Sequence, residues 1–192
     1  MSEAQTVSRA LNHAAGISPC DILGKVVKRV RKSSAHPALT IDFADETSVQ
    51  IRVDGYDPSH PGLPKALETD SYLEELILTD KPLDFPLLGC AYVTLSDKAF
   101  ELRKEDGSED TLQQWDQQHI GLALKFTNEN SISGKARWHC VWASKQELDA
   151  ACGACTFRSY EDVYLDILPR TQRPSSSTPT KHRRRRSRVS IH

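Results

Sequence analysis

The stretch LTIDFADETSVQIRV, residues 39–53, gives the clearest structural signal in the chain because apolar and polar residues alternate on both sides of a polar tetrapeptide. Side chains along a β-strand point to opposite faces in turn, so each alternating run has one face that can be buried. The tetrapeptide ADET (44–47) is a short polar turn between the two runs. The stretch therefore predicts a β-hairpin that buries Leu39, Ile41, Phe43, Val49, Ile51 and Val53.

Four runs further along the chain have the composition of strands, and they fall into two pairs. The first pair is joined near SDK (96–98), and the second by the polar loop TNENSISGK (127–135). Short polar connections favour antiparallel neighbours, because parallel strands need long crossovers. The four predicted strands are LLGCAYVTL (87–95), KAFELRK (98–104), IGLALKF (120–126) and ARWHCVWA (136–143).

Capping-box patterns predict where helices begin. In such a box a Ser or Thr caps the first turn, and an acidic residue three positions later reaches back to it. Ser71 and Glu74 in DSYLEELIL predict a short helix in this way. Ser144 and Glu147 predict a second helix that runs toward Cys152.

Two further segments carry helical signals. SPCD (18–21) combines a capping box with a proline in the first turn. The valines and the glycine that follow favour a strand about equally, so residues 19–32 stay open between helix and strand. SYED (159–162) predicts the start of a last helix over residues 163–167.

These signals together predict an α+β fold in which a few helices flank an antiparallel sheet. We expect residues 1–17 to be a flexible N-terminal segment and residues 18–168 to form a single globular domain. Residues 169–192 are rich in Pro, Ser, Thr and Arg and have no hydrophobic periodicity. That composition is typical of a disordered tail.

Charge is distributed unevenly along the 192 residues. The chain has 25 Lys and Arg residues against 26 Asp and Glu residues, a net charge of −1. From residue 171 onward there are seven basic residues and no acidic one, which leaves 18 against 26, or −8, in residues 1–170. A domain of that charge repels polyanions while its tail attracts them. We therefore assign any polyanion binding to the tail.

Cysteine usage and hydropathy indicate the compartment. The first residues lack the apolar core of a secretory signal, and no run approaches the roughly 20 apolar residues of a membrane helix. The five cysteines are an odd number without the spacing of a disulfide framework. These observations predict an intracellular protein with reduced thiols and no membrane association.

The segment KHRRRRSR (181–188) is the strongest functional motif. Nuclear import receptors bind short basic peptides, and arginines also displace counterions from a nucleic-acid backbone. Thr178 and Ser187 are candidate phosphorylation sites, and a phosphate of about −1.5 to −2 charge would oppose both uses. We predict a nuclear or nucleocytoplasmic protein with a nuclear localisation signal made of Lys181, Arg183, Arg184, Arg185, Arg186 and Arg188.

A zinc site is a weaker candidate. Cys152 and Cys155 in CGAC have the spacing of a zinc-ligand pair, but the sequence has no second pair. His139 is the nearest third ligand, and it points outward if Trp138 faces the core. A distant residue such as His119, or a water, would complete the site. The alternatives are that these cysteines are small buried side chains or take part in thiol redox chemistry.

Catalytic motifs are missing from the sequence. It contains no G-x-S-x-G, H-E-x-x-H, P-loop or G-x-G-x-x-G pattern. We assign no catalytic residue and no cofactor other than the candidate zinc. An enzyme would need a cavity in which a histidine meets a carboxylate or a cysteine.

Two segments, WHCVWA (138–143) and FRSYEDVYL (157–165), together with the hairpin, resemble uncharacterised proteins of basidiomycete fungi. The resemblance implies no activity. From the residues we predict a non-enzymatic protein-interaction module with a protein partner and an import receptor for its tail. The alternatives are a nucleic-acid-associated protein that binds phosphates through the tail, and an enzyme or zinc protein that uses Cys152 and Cys155.

Overall fold

The computed structural model describes residues 16–60, 62–63, 65–79, 82–103, 110–127 and 136–168. These residues contain ten strands, one α-helix and one 3-10 turn. In chain order the elements are the 3-10 turn Pro19–Ile22, β1 (Val26–Lys32), β2 (Ala38–Phe43), β3 (Ser48–Val53), β4 (Lys65–Thr69), α1 (Ser71–Leu78), β5 (Phe85–Pro86), β6 (Gly89–Arg103), β7 (Thr111–Thr127), β8 (Ala136–Leu148), β9 (Cys155–Glu161) and β10 (Val163–Ile167). No helix in this part of the chain has the length and hydrophobicity needed to cross a membrane.

The strands form two antiparallel sheets of five strands each. The first sheet has the order β10-β3-β2-β1-β5, and the second has the order β4-β8-β7-β6-β9. Strand β9 pairs with β8 as well as with β6. The second sheet therefore curls back on itself into a small barrel-like arrangement.

The predicted hairpin is confirmed as β2 and β3, with Leu39 opposite Ile51 and Ile41 opposite Val49. All six of its predicted core residues are buried. They pack with apolar side chains of the second sheet, such as Leu122 and Val141, in one hydrophobic core. Burial of such side chains is the main favourable contribution to folding.

The predicted α+β class is wrong, because the described residues form a mostly β fold with a single α-helix. That helix, α1, is at the predicted place, although its N-cap is Asp70 and not Ser71. The other two predicted helices are strands. Ser144 lies inside β8, and its hydroxyl donates to Glu68 instead of capping a helix.

The helix predicted over residues 163–167 is a strand. The pattern SYED (159–162) has the form of a helix start, but it does not begin a helix here. Val163 and Leu165 are buried while Tyr164 and Asp166 are only partly buried, which is the two-residue period of a strand. Their partner is β3, more than 100 residues earlier in the chain. A local pattern could not indicate such a distant pairing.

The structure also decides two further points of the sequence analysis. Residues 19–32 form a 3-10 turn with the predicted capping box of Ser18 and Asp21, followed by strand β1. The two strands that were predicted to meet near SDK are one continuous strand, β6, of 15 residues. Its partner β7 also begins earlier than predicted, at Thr111.

Candidate functional site

The second sheet has two faces of different character. Leu122 pairs with Val141, and Leu124 pairs with His139; these side chains are buried against the first sheet. Alternation along the strands turns their sequence neighbours to the opposite side, which we call the outer face. The outer face carries a polar network at one end and an apolar patch at the other.

The polar network begins with a histidine and a carboxylate on neighbouring strands. His119 on β7 places Nε2 2.9 Å from Oδ2 of Asp97 on β6. A carboxylate only accepts hydrogen bonds, so Nε2 carries the proton that is shared. The imidazole stacks on the ring of Tyr160 on β9, with centroids 4.7 Å apart and an interplanar angle of 13°. The side chain of His119 is only 1% exposed.

Glu68 on β4 is the centre of the network's other half. Its Oε1 accepts hydrogen bonds from Ser144, Gln146 and Arg158, at 2.6, 3.0 and 3.0 Å. Its Oε2 accepts from the indole of Trp142 at 2.9 Å and from Arg158 at 2.8 Å. One carboxylate on an edge strand therefore ties β4 to both β8 and β9.

Arg158 joins the two halves. Its Nε donates to the hydroxyl of Tyr160 at 3.1 Å while Nη2 reaches Glu68. Burial lowers the pKa of Arg158, but the hydrogen bond to Tyr160 and the charge of Glu68 outweigh burial and raise it. The network therefore runs from Asp97 through His119, Tyr160 and Arg158 to Glu68, and it crosses all five strands of the sheet.

Side chains replace main-chain pairing where β9 passes β7. The amide of Gln117 donates to the carbonyl of Tyr160 at 2.7 Å and accepts from its N–H at 3.0 Å. The carboxylate of Asp162 accepts from the N–H of Ile120 at 2.8 Å. Side chains hold the strands further apart than direct bonds would, and a cavity of about 250 Å³ lies beside them. It is lined by Asp54, Gln117, Gln118, His119, Tyr160, Glu161 and Asp162.

This cavity brings a histidine close to a carboxylate, as an enzyme would require. However, Nε2 of His119 is bonded to Asp97, and Nδ1 is buried without a hydrogen-bond partner. A general base must reach the proton that it removes. Neither ring nitrogen is open to a ligand, so the arrangement fits a structural role better than acid–base catalysis.

His139 has the same arrangement on the core side of the sheet. Its Nδ1 lies 3.2 Å from Oδ1 of Asp70, its Nε2 is buried without a partner, and its ring stacks against Tyr72 and Phe126. Asp70 also accepts from the N–H of Cys140 and caps α1. His139 therefore fixes the helix to the sheet.

The structure separates the three candidate zinc ligands. His139 points into the core, whereas Cys152 is exposed in the turn after β8 and the Cys155 thiol donates to the carbonyl of Phe157. His139 lies nine residues before Leu148, the partner of Cys155, which is about 30 Å along a strand. The described residues contain no group of three side chains suited to a metal ion.

The apolar end of the outer face surrounds an exposed tryptophan, Trp138. The register aligns Gly89, Lys125 and Trp138 in one row, and Ala91, Ala123 and Cys140 in the next. We call these six residues the Trp138 patch. Trp138 is 54% exposed, so the condition under which His139 would point outward is not met.

Gly89 allows the edge of the indole ring to come close to the backbone of β6. A Cβ at this position would come within 2.7 Å of Cη2 of Trp138, closer than side chains approach in proteins. The ammonium group of Lys125, the residue paired with both Gly89 and Trp138, lies 5.6 Å from the indole centroid, a cation–π contact. The small neighbours and the cation hold Trp138 in a defined position at the surface.

The predicted tail signal, from Lys181 to Arg188, and the candidate phosphorylation sites Thr178 and Ser187 lie outside the described residues. Sequence reasoning missed the polar network and the Trp138 patch. The alternation of Trp138, Cys140 and Trp142 predicted one shared face but not which face it was. Nothing local indicated that Glu68 would meet Arg158, 90 residues later.

No family model, curated protein or solved structure matches the chain. A function for this protein is therefore argued from the contacts of the described residues.

Proposed function

We propose that the protein is a non-catalytic interaction module that binds a protein partner through the Trp138 patch. The observation that carries this proposal is the exposure of Trp138 beside the small residues Gly89, Ala91 and Ala123. Tryptophan is the side chain most often found to dominate the binding energy of protein interfaces. Covering the exposed half of an indole removes roughly 100 Å² of apolar surface, about 2.5 kcal/mol.

The chemistry of the patch indicates the kind of partner. Its six residues include one cation, Lys125, and no carboxylate. An apolar side chain of the partner can cover Trp138 while a neighbouring acidic side chain pairs with Lys125. An exposed tryptophan on the surface of a sheet suits a folded or helical partner more than a small ligand, because a small ligand prefers a concave site.

The polar network supports this proposal because it ties together the strands that carry the patch, at the other end of the same face. Trp142 lies two residues after Cys140 on the same face and donates to Glu68. Surfaces that are already rigid lose less conformational entropy on binding. The network thus prepares the patch for a partner without acting as a catalyst.

The tail completes the proposal as a nuclear localisation signal. Its basic residues, read by an import receptor, would direct the acidic domain and its partner to the nucleus. Phosphorylation at Ser187 or Thr178 would weaken this signal by adding negative charge.

Affinity capture with the full chain tests the proposal. Wild-type protein and the variants Trp138→Ala and Trp115→Ala serve as bait in cell extracts. Trp115 is also an exposed tryptophan of the same sheet, 39% exposed on β7, so it is a matched control. We expect a partner that is retained by wild type and Trp115→Ala and lost with Trp138→Ala. Equal recovery with all three baits would refute the role of the patch.

A second candidate function follows from the charge asymmetry. Six basic residues between positions 181 and 188, against a domain of net charge −8, could bind nucleic-acid phosphates through the tail. Such binding weakens steeply with salt, with a slope of about −0.9 per phosphate neutralised on B-DNA. Absence of DNA or RNA binding at about 50 mM salt would reject this candidate.

A further inference from the structure

A further cavity in the described residues shares no lining residue with the polar network or the Trp138 patch. It is an open groove of about 480 Å³ between the loop that follows β1 and the strand β4. Pro37, Leu63 and Leu67 provide apolar lining. The polar residues that line it are Lys32, Ser33, Ser34, His36, Tyr56 and Lys65.

The charge of the groove is opposite to that of the domain around it. No Asp or Glu lines it among the described residues, although residues 1–170 have a net charge of −8. Lys32 does pair with Glu74 at 2.6 Å, but Glu74 does not line the groove. An anion inside the groove therefore meets cations before it meets any carboxylate.

Lys65 is the cation best placed to hold an anion. Its ammonium group donates to the carbonyls of Gly55 at 3.0 Å and Asp54 at 3.4 Å. No carboxylate of the described residues forms an ion pair with it. A lysine ammonium has three donors, so two are used in holding its position and one is left for a ligand.

Hydroxyl and imidazole groups line the same groove as this ammonium. Ser33 Oγ accepts from the N–H groups of Ala35 and His36, which leaves its own proton to donate. His36 Nδ1 lies 3.2 Å from the hydroxyl of Tyr56, and this pair separates the groove from a second cavity of about 140 Å³. The second cavity is lined by Arg52, which pairs with Asp166.

We propose that this groove binds a phosphate monoester. The three terminal oxygens of such a group need several donors from different directions, which the ammonium groups and hydroxyls provide. The larger cavity contains no guanidinium, the group that pairs best with a planar carboxylate. The apolar lining next to the cations takes the organic part of the ester.

Calorimetric titration of the full chain tests this site. The probes are inorganic phosphate, O-phospho-L-serine and unphosphorylated serine. We expect O-phospho-L-serine to bind, serine not to bind, and Lys65→Met to weaken binding about tenfold or more. Lys98→Met is the matched control, because Lys98 is an exposed lysine on β6, remote from the groove lining. Both variants keep the basic tail, so a difference in affinity between Lys65→Met and Lys98→Met comes from the groove.

Tyr56→Phe gives a second test that removes only one hydroxyl from the groove. We expect this variant to bind O-phospho-L-serine more weakly and to unfold at the same midpoint as wild type.

If inorganic phosphate binds as tightly as O-phospho-L-serine, the site serves phosphate itself, and if it binds more weakly, the organic part contributes. The proposal is overturned if O-phospho-L-serine fails to bind at about 10 mM, a free energy of about −3 kcal/mol. It is also overturned if Lys65→Met and Lys98→Met weaken binding equally.

Discussion

Glu68 is the residue on which most side chains of the polar network converge. Its two oxygens accept hydrogen bonds from Ser144, Gln146, Trp142 and Arg158, and its side chain is 26% exposed. If this carboxylate is removed, water cannot satisfy all of these partly buried donors, and several lose their hydrogen bond.

Glu68→Ala should therefore destabilise the protein by about 2–4 kcal/mol, because Arg158 loses its partner while it is still largely covered. Urea denaturation followed by tryptophan fluorescence measures the loss. Glu68→Gln keeps the shape and one acceptor, so it should lose less. The control is Glu101→Ala, which breaks an exposed ion pair with Arg103 and should cost at most about 1 kcal/mol. Equal losses for the Glu68→Ala and Glu101→Ala variants would contradict the role given to Glu68.

The two buried histidines show what residue types alone could not reveal. In the sequence His139 and, more remotely, His119 are candidate zinc ligands. In the structure each has one ring nitrogen on an aspartate and the other buried without a partner. Which face of a strand is buried depends on the sheet that packs against it. For His119 and His139 that packing involves residues far away in the sequence.

At the scale of elements, cross-strand polar contacts stabilise the hairpin and its neighbour β1. Asp42 on β2 accepts from Arg31 on β1 at 2.9 and 3.3 Å, and from Ser48 on β3 at 2.6 Å. Burial raises the pKa of Asp42, but the hydrogen bonds from Arg31 and Ser48 outweigh it, so the pKa lies below its usual value.

This shift predicts a pH dependence with a definite sign. Because the pKa of Asp42 is lower in the folded state, its contribution to stability is present above the unfolded pKa of about 3.9 and is lost as pH falls through the folded pKa. Asp42→Asn should therefore lower the unfolding midpoint near pH 7, and the gap from wild type should close in acid. Thermal unfolding at a series of pH values measures this. A gap that stays constant into acid would show that charge is not the cause.

The matched control is Asp84→Asn. Asp84 pairs with Lys28 at 2.7 Å, but the side chain of Asp84 is 73% exposed. Exposed pairs contribute little, so this variant should follow wild type at every pH.

The elements that sequence reasoning predicted correctly are those whose signals are local. The hairpin has its period of two and its turn within 15 residues, and α1 has its capping residues beside its apolar ones. The failures at Ser144 and at residues 159–167 have one cause. Those segments contain helix-start patterns, yet pairing with strands that are distant in sequence outweighs these weak local preferences.

At the scale of the whole molecule, the proposal is that the basic tail directs the acidic domain to the nucleus. Residues 1–168 and the full chain, each fused to a fluorescent protein large enough to limit passive diffusion, test this proposal. We expect the full chain in the nucleus and the shorter chain in the cytoplasm or spread through the cell. The same distribution for both would remove the nuclear signal from the proposal and leave polyanion binding as the use of the tail.

Separating the domain from the tail rests on sequence composition and charge alone. The exposure of the Trp138 patch could not be predicted, because it depends on which side of the second sheet meets the first. Trp138 and His139 are adjacent in sequence, and the structure places the tryptophan outside and the histidine inside. Only the register of β7 against β8 shows this.

Photo-crosslinking in cells is the most direct test of the central proposal. A benzophenone amino acid replaces Trp138 in one version of the full chain and Trp115 in another. Since the reagent reacts only with what touches it, we predict a discrete crosslinked protein from position 138 and none of that mass from position 115. If position 138 gives no crosslink, or if both positions give the same products, the Trp138 patch is not the binding surface of this protein.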